Sequence, residues 1–375
     1  MRILELLSSP VWTGPAEPMA TLAAELRARG HAVEVAADTR RPGDLRDRLG
    51  ALGFAVRDDL ALTTRGAPPP FLSDVRRLAR IGAGFDVVHA HFSNDHAAAL
   101  LGLRRRRERP RLVRTVHSAR SLRDRALQRL AYRRTDGVIA VCEAHARVLA
   151  ARFGVPEERL VAIRGAVDCD AFRPDGPDLR AELGLEPGQP VAGIVSRVKP
   201  GRRHDELVDA FRGVARRLPE ARLVVVGRGE GLDELRARID GAGLGGRVLL
   251  AGYRTGAELA AAYRTLDVKV LLAEGNDGTC RALLEAMACG RAAIAYRFGA
   301  PAETVVHGET GLLVEEGDVA ALERALAELL SSPAHARALG AAGRARAAGL
   351  YTRSAQGDVV EGFLERLLAG PAAVL

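Results

Sequence analysis

Leu271-Leu-Ala-Glu-Gly-Asn-Asp-Gly-Thr-Cys-Arg-Ala-Leu-Leu-Glu-Ala-Met-Ala-Cys-Gly290 reads as the end of a buried strand, a polar turn and a helix carrying two spaced carboxylates. Cys280, Leu283, Leu284 and Met287 fall at i, i+3, i+4 and i+7, the spacing of one buried helix face, and Gly290 supplies the stop. Asp277-Gly278 is a turn signal ahead of that helix. The first free backbone N–H groups, near Thr279, Cys280 and Arg281, therefore project from the carboxyl end of a strand, where an anion is favoured. Asp277 and Glu285 stand either side of the helix start. On spacing alone, Asp277 could equally shape the turn and Glu285 could pair with Arg281 at i, i+4 on a solvated face.

Working outward, 375 residues exceed one ordinary core and suit two domains of about 150 to 200 residues each. Met1-Arg-Ile-Leu-Glu-Leu-Leu7 leads directly into a strand and is not a signal peptide, and no apolar run approaches the roughly 18 residues of a bilayer span. Cys142, Cys169, Cys280 and Cys289 form no C-x-x-C pair and read as reduced thiols. The net charge of +8 comes from a chain in which Lys199 and Lys269 are the only lysines. Arginines crowd from Arg104 to Arg134. That run reads either as solvated helix faces or as a patch for anionic lipid headgroups. Nucleic acid is disfavoured, because Tyr132 is the only interleaved aromatic residue.

Strand and helix patterns alternate along the first half: a strand at Arg2–Leu7, a loop through Gly14-Pro15, a helix from about Glu17 to Arg29 and a strand at His31–Ala36. This order gives a parallel sheet with ligand loops at the strand carboxyl ends. Ala67-Pro-Pro-Pro70 separates these elements from a helix near Asp74–Ile81. Phe85-Asp-Val-Val-His-Ala-His91 is a strand whose His89 and His91 share a face; as a metal pair they are a non-specific signal. His117 ends the strand Arg111–His117 at the edge where such sheets present ligand groups. In the second half, the loop Arg197-Val-Lys-Pro-Gly-Arg-Arg203 between a strand and a helix could neutralise a diphosphate through charge-assisted hydrogen bonds. Val226-Gly-Arg-Gly229 is too short a glycine pattern to mark dinucleotide binding.

The segment Asp277-x7-Glu285-Ala-Met-Ala-x-Gly290 resembles the acid-x7-Glu motif of retaining GT-B glycosyltransferases. The match is to the large family 4 group that includes sucrose and sucrose-phosphate synthases and many bacterial mannosyl- and glucosyltransferases. Asp86-Val-Val-His-Ala-His91, Thr115-Val-His117, Gly165-Ala-Val-Asp168 with Phe172 and Pro174, Val226-Gly-Arg-Gly229 and Gly252-Tyr253-Arg254 resemble further family phrases, so the likeness covers nearly the whole chain. It implies an α/β GT-B fold of two Rossmann-like domains with parallel sheets facing a central cleft. Residues 1–168 would form an acceptor-side domain, 169–189 a linker and 190–350 a nucleotide-sugar-binding domain, with a helix over 351–375 crossing back to the first domain.

Carried over by position, the resemblance gives His117, Arg197, Arg202 and Asp277 the catalytic roles. Gly14, Lys199, Tyr253, Gly278, Thr279, Cys280 and Glu285 would bind the donor, with Glu285 on the nucleotide ribose and Asp277 on the sugar. Asp277 stands where the family usually has Glu, Arg202 where it has Lys, and Ser196 and Arg203 where it has glycines; Gly14-Pro15 replaces its Gly-rich loop. The implied activity is retaining transfer of a hexose-type sugar from a UDP- or GDP-sugar to a glycan, lipid-linked or small-molecule acceptor, in cell-envelope or exopolysaccharide synthesis. The nucleotide-diphospho-sugar is a co-substrate, and neither a cofactor nor a metal is expected. The expected place is the cytoplasm, with peripheral contact through Arg104–Arg134 at the inner face of the plasma membrane. The rival readings are another GT-B reaction, inverting transfer or sugar-nucleotide epimerisation, and a catalytically weakened nucleotide-binding scaffold.

Overall fold

The short apolar runs become parallel strands, and burial on both faces accounts for their lack of polar alternation. In a computed structural model describing residues 1–12, 14–62, 68–103, 109–123, 125–273 and 280–371, these strands form two sheets. The first contains β1 (Arg2–Leu7), β2 (Ala32–Ala37), β3 (Val56–Arg57), β4 (Val87–Ala90), β5 (Arg111–Val116), β6 (Gly137–Ala140) and β7 (Leu160–Ala162), in the order β3-β2-β1-β4-β5-β6-β7. The second contains β8 (Val191–Val195), β9 (Arg222–Val226), β10 (Val248–Gly252), β11 (Val268–Leu271), β12 (Ala292–Tyr296) and β13 (Gly311–Val314), in the order β10-β9-β8-β11-β12-β13. Each sheet starts at its middle and winds outward in both directions. The winding reverses between β1 and β4 and between β8 and β11, and at such switch points the loops diverge and leave room for a ligand at the carboxyl edge.

The two sheets belong to separate compact units, one drawn from Met1–Gly165 and Arg353–Leu375, the other from Ala166–Glu274 and Cys280–Thr352. In the first, Ile3, Val87, Val113 and Ile139 face Leu22 and Leu26 of the helix Ala16–Ala28. The same layer takes Val360, Phe363, Leu364 and Leu367 from the helix Arg353–Ala369. Arg29 ties these helices together, 2.7 Å from Asp358 and 2.8 Å from Glu361. The opposite face packs Leu4, Leu6, Val88 and Leu112 against Leu78, Ala98 and Leu103. In the second unit, Ile194, Val268, Val270 and Ile294 meet Leu207, Phe211 and Val214 of the helix His204–Arg217 and Leu322, Leu326 and Leu329 of the helix Val319–Ser331. Its other face holds Val224, Val226, Tyr263 and Ala286.

One local feature differs from the reading of the residues. The helix expected near Asp74–Ile81 starts earlier, at Pro68, because prolines fit a first helical turn, whose N–H groups have no partner within the helix. The segment 169–189 forms neither helix nor strand, but it is folded onto the second unit, with Leu179 and Leu185 buried beside Tyr263.

Lys269 is the one lysine inside a sheet, in register with Gly193 and Ala293 and wholly buried. Its Nζ donates to the Val270 carbonyl at 2.5 Å, and burial brings the amine from 10.5 down to about 7. The folded state therefore binds fewer protons than the unfolded state between those values. The penalty of the buried charge is complete below about pH 7 and fades as pH rises toward 10.5. Lys269→Met, similar in volume, should raise stability by on the order of 1–4 kcal/mol at about pH 6 and by less at about pH 9, read as the Tm difference from wild type. A gain independent of pH, or a lower Tm, would contradict this account.

Candidate functional site

In the second unit, the loop after β8 is laid against the turn after β9. Ser196 N donates to Val226 O at 3.0 Å, Val198 N to Arg228 O at 3.0 Å and Gly231 N to Val198 O at 3.1 Å. Gly227 and Gly229 permit this approach, since a Cβ on either would stand 1.9 Å from the carbonyl oxygen of Ser196 or Val198. Close backbone packing against the Arg197 loop thus explains the Gly-x-Gly pattern. Arg197 is exposed, while Lys199 and Arg202 are half-buried. Arg203 has φ +60°, the left-handed conformation that suits the glycine of the family pattern. Its guanidinium lies 2.5 Å from Glu206 and also pairs with Glu316, so its charge is neutralised locally and the loop's cationic face is left to Arg197, Lys199 and Arg202. His204 Nε2 lies 3.1 Å from Ser196 Oγ, and burial keeps this ring neutral, at about 4.

Across the switch point, the helix Arg281–Ala288 follows Cys280, whose φ is +45° and whose Sγ lies 3.3 Å from Thr304 Oγ1. Cys280, Leu283, Leu284 and Met287 are buried as their spacing predicts, but so are Glu285, Ala286 and Ala288. Glu285 is 7% exposed, which excludes the solvated-face reading, although Arg281 does pair with it, Nε to Oε1 at 3.4 Å. The Tyr263 hydroxyl donates to Glu285 Oε2 at 2.6 Å, and burial together with that carboxylate keeps the phenol protonated. A carboxylate oxygen accepts more than one hydrogen bond, so Glu285 is oriented by these partners and retains acceptor capacity. At the end of β10, Tyr253 is 52% exposed, with the Arg228 guanidinium 4.2 Å from its ring centroid.

In the first unit, the alternation of adjacent strands puts Glu5, His89, His91, Thr115 and His117 on one face of the sheet, and Glu5 is in register with His89. His89 Nε2 lies 2.7 Å from Thr115 Oγ1, and its Nδ1 is 3.0 Å from Glu5 Oε2. His91 Nε2 lies 2.7 Å from Glu5 Oε2, and its Nδ1 is 2.9 Å from His117 Nε2. Burial would push the Glu5 carboxyl up, but His89 and His91 together bring it down to about 2. Burial also brings His91 down to about 4 and moves His117 in the same direction. Glu5, His89 and His91 offer three ligand atoms within 4.8 Å of one another, but those atoms already hydrogen-bond among themselves.

Gly14, His117, Arg197, Lys199, Arg202, Tyr253, Cys280 and Glu285 are thus all at or near the carboxyl edge of their own sheet. Asp277, Gly278 and Thr279 lie outside the described residues, as do Arg104–Arg107 of the arginine run. Two further members of that run, Arg109 and Arg114, are structural. Arg109 pairs with Asp136 at 2.5 Å, and Arg114 is buried, donating to Ala90 O at 3.3 Å. Tyr132 packs edge-on to Phe153 and is not available for base stacking. Glu5 and Tyr263 were not singled out from the sequence. A charged residue in the otherwise apolar run Ile3–Leu7 was the only local signal for Glu5.

Family models match both halves: Glycosyl transferases group 1 over residues 175–346 and Glycosyltransferase Family 4 over residues 14–171. The chain is 32% identical over 298 residues to a GDP-mannose-dependent alpha-(1-6)-phosphatidylinositol monomannoside mannosyltransferase of Mycolicibacterium smegmatis, covering 75% of this chain and 77% of that one. It is 30% identical over 341 residues to a D-inositol 3-phosphate glycosyltransferase of Nocardia farcinica, covering 84% and 74%. Among solved structures, Anabaena Alr3699/HepE in complex with UDP and glucose superposes with a TM-score of 0.81 at 20% identity, covering 97% of this chain and 99% of that one. Sucrose-phosphate synthase from Thermosynechococcus elongatus gives 0.76 at 22%, covering 98% and 100%. The chain belongs to the group 1 glycosyltransferases: it is a nucleotide-sugar glycosyltransferase with the GT-B fold.

Proposed function

We propose that this enzyme moves a hexose-type sugar from a UDP- or GDP-sugar to a glycan, lipid-linked or small-molecule acceptor with retention of anomeric configuration, in the synthesis of an envelope or extracellular glycan. The observation that carries the donor assignment is the pairing, across the β8/β11 switch point, of a cationic loop with a buried, oriented carboxylate. Arg197 and Arg202, with Lys199, stabilise the charge that develops on the leaving diphosphate, a kind of electrostatic stabilisation that is usually the largest contribution to catalysis. Glu285 accepts from ribose hydroxyls, and the exposed Tyr253 ring borders the base. The resemblance assigns Gly14, Gly278, Thr279 and Cys280 to donor binding, and His117 and Asp277 to the orientation of the transferred sugar. The departing phosphate oxygen takes the proton of the acceptor hydroxyl, so neither a protein nucleophile nor a metal is required. The mannosyltransferase relative, named for GDP-mannose and a phosphatidylinositol mannoside, supports a GDP-linked donor and a lipid-linked acceptor.

At about 100 times its Kd, a nucleoside diphosphate stabilises its receptor by about 2.7 kcal/mol. UDP or GDP should raise the wild-type Tm accordingly, Glu285→Ala should lose the shift, and the sugar nucleotide should yield product with the donor's own anomeric configuration. An inverted product would assign the inverting reaction, and binding without turnover would support the scaffold reading.

We further propose that the enzyme works peripherally at an anionic membrane on its cytoplasmic side. No helix among the described residues is long and apolar enough to cross a membrane. On the helix Ala126–Arg133, Leu127 is 82% exposed and Leu130 45% exposed, among the exposed arginines 123, 125, 129, 133 and 134. Leucines beside cations suit a headgroup boundary, where each cation contributes about 1 kcal/mol. Leu127→Glu/Leu130→Glu should lower co-sedimentation with anionic vesicles about tenfold and leave neutral vesicles unaffected. Unchanged sedimentation would remove this helix from the contact.

A further inference from the structure

The line of hydrogen bonds ending at His117 fixes more than ring orientation. Glu5 is 1% exposed and ionised, and an ionised carboxylate only accepts hydrogen bonds. The nitrogen 2.7 Å away, His91 Nε2, must therefore carry a hydrogen; in the opposite tautomer two lone pairs would face each other at that distance. A neutral His91 protonated at Nε2 has a bare Nδ1. His117 Nε2, 2.9 Å from that bare atom, must in turn carry its own hydrogen. The remaining ring nitrogen, His117 Nδ1, is then an unprotonated acceptor. It is buried and has no hydrogen-bond partner among the described residues, on a side chain only 5% exposed at the carboxyl edge of β5. A buried acceptor without a partner is costly unless a ligand supplies the donor.

We infer that Glu5 and His91 are positioning residues that hold His117 in its Nε2–H tautomer, so that Nδ1 accepts a hydrogen bond from a hydroxyl of the transferred sugar. The inference rests on the proposed placement of the sugar beside His117 and adds two residues, neither of which touches it, that set the polarity of that contact. His89 completes the arrangement: its Nδ1–H donates to Glu5, and its Nε2 accepts from the Thr115 hydroxyl. A cationic His91 is opposed by its burial and by the permanently charged Arg114 on the opposite face of β5. Burial, with this cation, holds His91 down at about 4, so the polarity of His117 is maintained through neutral pH. Were His91 to gain a proton, Nδ1–H would donate to His117 Nε2, and His117 Nδ1 would become a donor unable to accept from a hydroxyl.

The test reads the tautomer directly, by ring-nitrogen NMR of the histidine-labelled full chain without ligand at neutral pH. The expected spectrum shows His117 with a pyrrole-type Nε2 and a pyridine-type Nδ1, and His91→Leu should convert it to a mixture of tautomers. In transfer assays, His91→Leu should lower kcat/KM for the sugar nucleotide by about tenfold, the scale of one misdirected hydrogen bond, while the Kd for the free nucleoside diphosphate stays within about twofold. His91→Gln should restore most of the loss, because its amide can donate to Glu5 and accept from His117. Three results would overturn the inference: His117 protonated at Nδ1 in the wild type, His91→Leu leaving tautomer and kcat/KM unchanged, or stoichiometric zinc in the purified protein that is lost in Glu5→Gln. The spectrum is taken without turnover. A correct tautomer in a protein that transfers no sugar would therefore count against the proposed reaction and not against the relay.

Discussion

Each unit buries a glutamate close to the carboxyl edge of a parallel sheet, and the desolvation of that charge dictates what surrounds it. Moving a carboxylate out of water costs several kcal/mol unless hydrogen-bond donors replace its hydration. Glu5 meets this with two imidazole N–H groups, from His89 and His91. Glu285 meets it with the Tyr263 hydroxyl and the Arg281 guanidinium. Donors fixed in this way also fix the lone pairs that remain. The same bonds that make the glutamates tolerable therefore leave acceptors oriented at the sheet edge, Glu285 directly and Glu5 through His91 and His117. A hydroxyl-rich ligand is the natural complement to such acceptors.

The topology explains why these groups occur where they do. A parallel sheet sends every strand in the same direction, so every carboxyl end opens on one edge, and the reversal of winding between β1 and β4 and between β8 and β11 opens a gap there. Around the second gap, close backbone packing at Gly227 and Gly229 holds the Arg197 loop in place. The left-handed Arg203 preserves the backbone course of a glycine, and its charge is paired with Glu206 and Glu316. The departure of this residue from the family pattern is thus conservative in backbone shape, though not in side chain.

Much of this was legible in the residues. The apolar runs marked the strands because parallel strands are buried on both faces, and the i, i+3, i+4, i+7 set from Cys280 to Met287 marked the helix that carries Glu285. The resemblance of Asp277–Gly290 to a glycosyltransferase motif gave the family and the two-sheet architecture. What escaped depends on register between distant strands. Nothing local to Glu5 shows that it stands opposite His89, 84 positions away. Nothing local to Tyr263 shows that it reaches Glu285, 22 positions on. The prolines before Asp74 looked like a break, yet they are compatible with a first helical turn. In the Pro- and Gly-rich segment 169–189, Leu179 and Leu185 are buried in the second core, a contact that nothing local to the segment announces.

The central claim, that the nucleotide end of the donor is held by the β8/β11 edge, is tested most directly by backbone hydrogen exchange across the whole chain with and without a saturating nucleoside diphosphate. The account predicts slowed exchange over residues 197–204, where the cationic loop enters its helix, and over 281–289, the helix carrying Glu285. Protection that left both segments unchanged and fell only within residues 1–165 would place the nucleotide on the other sheet and contradict it.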